Sequence, residues 1–445
     1  MNLFLNLDTH VELMNKRLVI IQAAGLGYDF VRKTNASGGL GLDFHPLESV
    51  FPAVTCTAQA SFRTAMPPAS HGMVANGLFH RDLRKPLLWE QSSSLITGPR
   101  IWEAFRARGK KVALLFWQQS LGETVDILLS PAPVHKHGGG MVQSVYSQPA
   151  GLYESLCKKL GARFQLHRYW GPLASATSSH WIAKATAALL DDPAAAPDLC
   201  LTYLPALDYD LQRHGPDHPS AKRALEALFR QITLIREAAE RNGYDVILFG
   251  DYAIAPVSQA LFPNRALHDA GLFRTRSVAG KLYPDFHTSA AFAMVDHEIA
   301  HVYVKQKSSI PAVRATLAAL PGVSALLNSD EQQAAGLAHP NCGDLVLMSE
   351  PGAWFAYPWW TSKREAPDYA SHVDIHNKPG YDPCELFFGW PPISVSQDTS
   401  RIKGSHGRTG SGREAAWAAT IPFPAPPKSL LDLAQYVRQH LATIP

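Results

Sequence analysis

Short hydrophobic runs bounded by glycine or loop residues recur along the chain and predict buried strands. The clearest of these runs are 17–27, 111–117, 200–204 and 246–250. Helical periodicity lies between them, with one helix predicted from Pro99 to Gly109 and another from Ala221 to Asn242. This alternation is typical of an α/β protein in which helices cover both faces of a mostly parallel sheet. It places a functional site beyond the carboxyl ends of the strands.

Residues 256–356 have a different pattern, because strand-like sequence at 290–304 and around Leu345 flanks a predicted helix at 311–320. We therefore predict a smaller α+β cap inserted into the α/β core. A last amphipathic helix is predicted at 429–441. The resulting division is 1–255 for the first part of the core, 256–356 for the cap, and 357–445 for the rest of the core with the C-terminal helix.

Composition excludes several classes of protein. Of the 445 residues 46% are hydrophobic and 18% are charged, as in a folded protein, and a net charge of +3 does not indicate a nucleic-acid polymer as partner. No apolar run reaches the roughly 18 residues that a membrane span needs, and residues 1–15 lack the order of a signal peptide. The five cysteines are scattered and odd in number, which indicates reduced thiols and a cytoplasmic location. The oligomeric state stays open.

The segments 51–59 and 68–76 carry the most specific chemistry. They read Phe-Pro-Ala-Val-Thr-Cys-Thr-Ala-Gln and Pro-Ala-Ser-His-Gly-Met-Val-Ala-Asn. The pair resembles the nucleophile region of nucleotide pyrophosphatase/phosphodiesterase-type enzymes in the alkaline phosphatase superfamily. The resemblance implies that Thr55 is the nucleophile and that Asn76 holds a phosphoryl oxygen. A hydroxyl needs a base or a cation to activate it; without that, a Thr at a helix start is only an N-cap.

The resemblance covers residues 18–406 and implies an alkaline phosphatase-like central sheet with a cap. In that superfamily two metal ions clamp the entering and leaving oxygens. The candidate metal ligands implied by the matching positions are Asp208, Asp251, His376 and His406. We predict at most one tightly bound ion, zinc or another divalent metal, held by Asp208 with His406 or His376.

Three positions depart from the family pattern. Ala24 stands where an Asp bridges to the metal, and Gln212 and Tyr252 stand where the family has His. The resemblance therefore predicts a hydrolase of small phosphate mono- or diesters with a degenerate metal site, in which Tyr252 or His376 takes over proton transfer. The alternative is a non-catalytic descendant that binds a phosphorylated metabolite or a partner protein.

The segment His297-Glu298-Ile299-Ala300-His301 matches the His-Glu-x-x-His motif of zinc peptidases. That chemistry requires a helix, which places both His side chains on one face. The flanking residues are rich in Val, Ala and aromatic residues and predict strands. On a strand the two His would stand about 13 Å apart, too far for one zinc ion.

Overall fold

The computed structural model describes residues 17–34, 40–137 and 140–444. Its main element is an eight-stranded sheet. In spatial order the strands are His45–Leu47, Ala415–Ala419, Tyr244–Gly250, Arg17–Ala23, Leu199–Leu204, Val112–Leu115, Ile127–Pro131 and Val145–Gln148. The five strands from Tyr244–Gly250 to Ile127–Pro131 run parallel, and the remaining strands join antiparallel at the two edges. The predicted mostly parallel sheet is confirmed.

Helices cover both faces of this sheet. Every residue of the strands Leu199–Leu204 and Tyr244–Gly250 is buried, which requires cover on each side because successive side chains point to opposite faces. The α-helices in the described residues are Tyr28–Lys33, Thr55–Thr64, Pro68–His71, Glu103–Ala107, Leu152–Leu160, Ala176–Leu190, Ala206–His214, Pro219–Arg241, Pro263–Asp269, Ile310–Ala318, Ser329–Ala334 and Leu430–Thr443.

A second sheet of four antiparallel strands lies within residues 256–356. Its order is Ala291–Asp296, Ile299–Val304, Leu345–Ser349 and Val323–Leu327. The hydrophobic core around it also takes in Phe79 and Trp359, from outside that range. The domain boundaries of the sequence analysis stay a prediction.

The other strands of the described residues form five two-stranded sheets. They are Gly77–His80 with Lys85–Leu88, Val134–His135 with Met141–Val142, Ala255–Pro256 with Gly404–Ser405, Gln259–Leu261 with Ala353–Phe355, and Thr275–Val278 with Lys281–Pro284.

Three predicted elements differ in detail. The helix expected from Pro99 is short, Glu103–Ala107, because the amide of Ile101 donates to the Arg63 carbonyl instead of entering a helical turn. The strand-like segment 290–304 is a β-hairpin whose turn contains His297 at a φ of +62°. The last helix begins at Leu430, where Ser429 and Asp432 form a capping box.

Candidate active site

Three neighbouring parallel strands end level with one another and place the candidate residues at one edge of the sheet. Ala23, at the end of its strand, pairs with Leu204 on one side and with Gly250 on the other. Asp208 lies on the helix that follows Leu204, and Asp251 directly follows Gly250. The carboxyl ends of adjacent parallel strands thus bring the two carboxylates together.

Thr55 is the first residue of the buried helix Thr55–Thr64 and is 4% exposed. Its Oγ1 lies 3.3 Å from the hydroxyl of Tyr252. The Tyr252 hydroxyl in turn donates to Asp208 Oδ1 at 3.0 Å, so Thr55 is the donor in the first contact. A continuous hydrogen-bonded path therefore runs from Thr55 through Tyr252 to Asp208.

The second oxygen of Asp208 is bound by Gln212. Gln212 Nε2 donates to Asp208 Oδ2 at 2.5 Å, one helical turn along. Gln212 Oε1 accepts from the hydroxyl of Tyr381 at 2.9 Å. Burial raises the pKa of Asp208 to about 7, against the lowering effect of the hydrogen bonds from Gln212 and Tyr252.

Asp251 is fully buried and accepts three hydrogen bonds. Gln22 Nε2 donates to its Oδ2 at 3.1 Å, and the backbone amides of Gly25 and Tyr252 donate to its Oδ1 at 3.1 Å each. Burial raises the pKa of Asp251 to about 8, and the nearby charge of Asp208 adds to that effect.

Four aromatic rings stack in a column beside Asp208, and we call this set the ring column. The centroid of Tyr252 lies 3.5 Å from that of His406 with an angle of 4° between the planes. His406 lies 3.7 Å from His297, and His297 lies 3.8 Å from Tyr381. Burial holds the pKa of both His side chains well below the usual value, so both are neutral near pH 7.

His406 is positioned by a backbone carbonyl. Its Nδ1 donates to the Ala53 oxygen at 2.8 Å, while its Nε2 lies 3.8 Å from Asp208 Oδ1. His376 occupies a different environment, where its Nδ1 donates to the Leu88 carbonyl at 3.0 Å. Of the two histidines predicted from the sequence, His406 is therefore the one that lies against Asp208 and Tyr252.

Asn76 is buried and reaches the start of the helix Thr55–Thr64. Its Oδ1 accepts from the backbone amide of Cys56 at 3.0 Å. Its Nδ2 donates to Asp296 Oδ1 at 3.0 Å, and its backbone amide donates to Asp296 Oδ2 at 2.7 Å. The side-chain amide that the sequence predicts as an oxyanion donor is thus bonded to a carboxylate of the chain itself.

Sequence reasoning did not identify Asp296, His297 and Tyr381 as neighbours of the site. His297 was visible only as part of the His-Glu-x-x-His match. In the structure Glu298 forms a two-fold ion pair with Arg413 at 2.9 Å, and His301 has both ring nitrogens bonded to the backbone, at Val74 and Gly343. This segment is a hairpin and not a helix, so it lacks the geometry of the peptidase motif.

Comparison with known protein families supports the resemblance found in the sequence. The model of the family "Type I phosphodiesterase / nucleotide pyrophosphatase" matches residues 39–382, more than half of the chain. The chain belongs to this family. Family membership supports a phosphodiesterase/pyrophosphatase-type hydrolase, since the members are phosphoric-ester hydrolases. No curated protein matches this chain significantly.

Two solved structures share the fold of this chain. Phosphonoacetate hydrolase from Sinorhizobium meliloti 1021 in complex with phosphonoformate has a TM-score of 0.63 at 17% identity, with 96% of each chain covered. Murine ectonucleotide pyrophosphatase/phosphodiesterase 5 has a TM-score of 0.60 at 14% identity, with 96% of this chain and 95% of that chain covered. At these identities the likeness shows the alkaline phosphatase-like fold alone.

Family members are typically metal-dependent, often with zinc, so the donors of this chain can be compared with that requirement. The oxygens of Asp208 accept from Tyr252 and Gln212, and those of Asp251 accept from Gln22 and two backbone amides. Across residues 17–34, 40–137 and 140–444, no group of three or more His, Cys, Asp or Glu side chains is arranged to hold a metal ion. The donor set does not fit zinc in this arrangement, because the carboxylate oxygens that would bind the ion accept hydrogen bonds from the chain instead.

Among the described residues of this chain, no helix has the length and hydrophobicity needed to span a bilayer.

Proposed function

We propose that this chain hydrolyses small phosphate mono- or diesters with Thr55 as the nucleophile, and that Tyr252 and Asp208 take its proton. The observation that carries the proposal is the hydrogen-bonded path Thr55–Tyr252–Asp208, with contacts of 3.3 Å and 3.0 Å. A nucleophile joined to a base through a positioned group is the general arrangement of an activated hydroxyl.

In the first step Thr55 Oγ1 forms a bond to phosphorus while the bond from phosphorus to the leaving oxygen breaks. The Thr55 proton passes to the Tyr252 oxygen, and the Tyr252 proton passes to Asp208. The alkoxide that leaves takes a proton from water. The start of the helix Thr55–Thr64 favours the developing negative charge, because the positive end of the helix dipole lies at Thr55.

In the second step water attacks the phosphorus bonded to Thr55 and breaks its bond to Oγ1, which releases phosphate from a monoester substrate or a phosphate monoester from a diester. Thr55 takes its proton back from Tyr252, which is reprotonated by Asp208, and the proton of the attacking water goes to solvent. His376 is not required for this path, since its hydrogen bond is to Leu88. The zinc ion expected from the sequence supplies no step, because Asp208 and Asp251 are filled by hydrogen-bond donors.

A second candidate is a non-catalytic protein that binds a phosphorylated metabolite or a partner protein. One observation favours it: Asn76 donates to Asp296 with both its backbone and its side-chain amide. In that arrangement the amide predicted to stabilise a phosphoryl oxygen is not available for catalysis. A cytoplasmic location and the oligomeric state stay open in either case.

The two candidates are separated by turnover of bis(p-nitrophenyl) phosphate and by mass spectrometry of the peptide that contains Thr55. We expect turnover by the wild type, a trapped p-nitrophenyl phosphoryl group on Thr55, and loss of both in Thr55→Ala with an unchanged unfolding curve. Turnover that persists in Thr55→Ala refutes the nucleophile. A folded wild type with no turnover of mono- or diesters supports the non-catalytic candidate.

A further inference from the structure

The turn of the hairpin between Ala291–Asp296 and Ile299–Val304 enters the candidate active site from the cap. Its residues Asp296, His297 and Glu298 are 2%, 3% and 0% exposed. Each contacts a different part of the site: Asp296 binds Asn76, His297 stacks on His406, and the amide of Glu298 donates to the His406 carbonyl at 2.9 Å. The turn therefore fills space next to the predicted nucleophile.

The carboxylate of Asp296 is held by two donors from one residue. Asn76 donates to both of its oxygens, with the backbone amide at 2.7 Å from Oδ2 and the side-chain amide at 3.0 Å from Oδ1. His297 Nδ1 donates to Oδ1 at 2.7 Å. A planar anion with two oxygens on a pair of amides presents the same chemistry as two oxygens of a phosphoryl group.

We propose that Asp296 is a built-in competitor of the substrate, whose carboxylate occupies the Asn76 donors that the phosphoryl group uses. This inference rests on the proposed function, because it takes the substrate to be a phosphate ester that Asn76 binds, as the sequence analysis predicts. Phosphate binding then requires the Asp296 side chain to leave Asn76. Its negative charge also opposes a phosphate dianion at the same place.

Two features of His297 are energetically unfavourable in this turn. The residue has a φ of +62°, which is uncommon for a residue with a side chain. Its Nε2 is buried without a hydrogen-bond partner, which is costly for a polar atom. The turn keeps this conformation because it is held on both sides of the strained residue, by the Glu298 side chain on Arg413 and by the Phe355 amide on the His297 carbonyl. Only the Asp296 side chain therefore has to move.

Calorimetric titration with inorganic phosphate tests the proposal without requiring turnover. We expect Asp296→Ala to bind phosphate about 10- to 100-fold more tightly than the wild type, the size expected for freeing a hydrogen-bond donor to a charged group. The gain should be smaller in the double variant Asp296→Ala/Asn76→Ala, because the freed side-chain amide is gone while the backbone amide of residue 76 remains.

Asp126→Ala is the matched control. Asp126 also accepts hydrogen bonds from Arg106 and from a backbone amide, that of Val112. Val112 begins its strand, so this contact lies at the amino ends of the parallel strands, opposite to the candidate active site. It should leave phosphate affinity unchanged. Asp296→Asn serves if Asp296→Ala does not fold, and it should give a smaller gain in the same direction.

The proposal is overturned if neither Asp296 variant gains affinity while both unfold cooperatively, or if the gain in Asp296→Ala is not reduced by adding Asn76→Ala. Neither result tests whether Thr55 is a nucleophile, because the titration does not measure turnover. A wild type that shows no turnover argues against catalysis by Thr55 and leaves the phosphate titration to be decided by its own result.

Discussion

The hydroxyl of Tyr252 joins Thr55 to Asp208, and its removal tests the proton path directly. Tyr252→Phe deletes one oxygen and keeps the ring, so the stack on His406 at 3.5 Å is retained. Two hydrogen bonds are lost, one at 3.0 Å to Asp208 Oδ1 and one at 3.3 Å from Thr55. Because Asp208 is only 6% exposed, bulk water replaces the lost donor poorly.

The expected magnitudes follow from those contacts. A hydrogen bond to a charged group contributes about 1.5–3 kcal/mol, so the free energy of unfolding should fall by about 2 kcal/mol. The kcat for an aryl phosphodiester should fall by about 10²- to 10⁴-fold, the usual contribution of a positioned general base. Urea unfolding and steady-state kinetics on the same preparation measure the two effects.

Tyr244→Phe provides the matched control. The Tyr244 hydroxyl is buried and donates to the Pro197 carbonyl at 2.5 Å, at the amino end of its strand and away from the site. Its loss should cost about 1 kcal/mol of stability and leave kcat unchanged. A Tyr252→Phe variant with the kcat of the wild type would refute the proton path, whatever its stability.

Three further predictions concern stability and metal binding. Burial lowers the pKa of His71 to about 3 from 6.5, so the unfolded chain takes up this proton first as the pH falls. His71 therefore removes up to about 4 kcal/mol of stability between pH 6.5 and pH 3, and urea unfolding of His71→Gln at several pH values should show a flatter acid limb. Ala24→Asp combined with Tyr252→His should raise the zinc content measured by elemental analysis, by adding two donors beside Asp251, and no gain would contradict the alignment at Ala24. Ser429→Ala should lower the free energy of unfolding by about 1 kcal/mol, measured in urea, because it removes the cap bonded to the Asp432 amide.

The fold was predictable from the sequence because the central strands have a simple signature. The strands that end at Leu204 and Gly250 are short apolar runs buried on both faces, and such runs alternate with helices only in α/β proteins of this type. Topology then explains why Asp208 and Asp251 meet, since each follows the carboxyl end of a parallel strand.

The partners of these residues were not predictable in the same way. Asn76 binds Asp296 across 220 positions of sequence, and Tyr381 binds Gln212 across 169. Neither pair lies on one strand or helix, so no periodicity connects them. The sequence showed that Gln212 and Tyr252 replace histidines, but only the packed structure shows that both bind the same carboxylate, Asp208.

The ring column has a consequence for the order in which the molecule folds. Its members come from widely separated parts of the chain, and the bond from His406 to the Ala53 carbonyl spans 353 positions. During synthesis the helix that begins at Thr55 leaves the ribosome long before His406 exists. Contacts of such sequence separation form late. A nascent chain that stops before His406 can therefore pair its central strands, but it lacks the ring that joins Tyr252 to His297 of the hairpin. The candidate active site is completed only after His406 has been made.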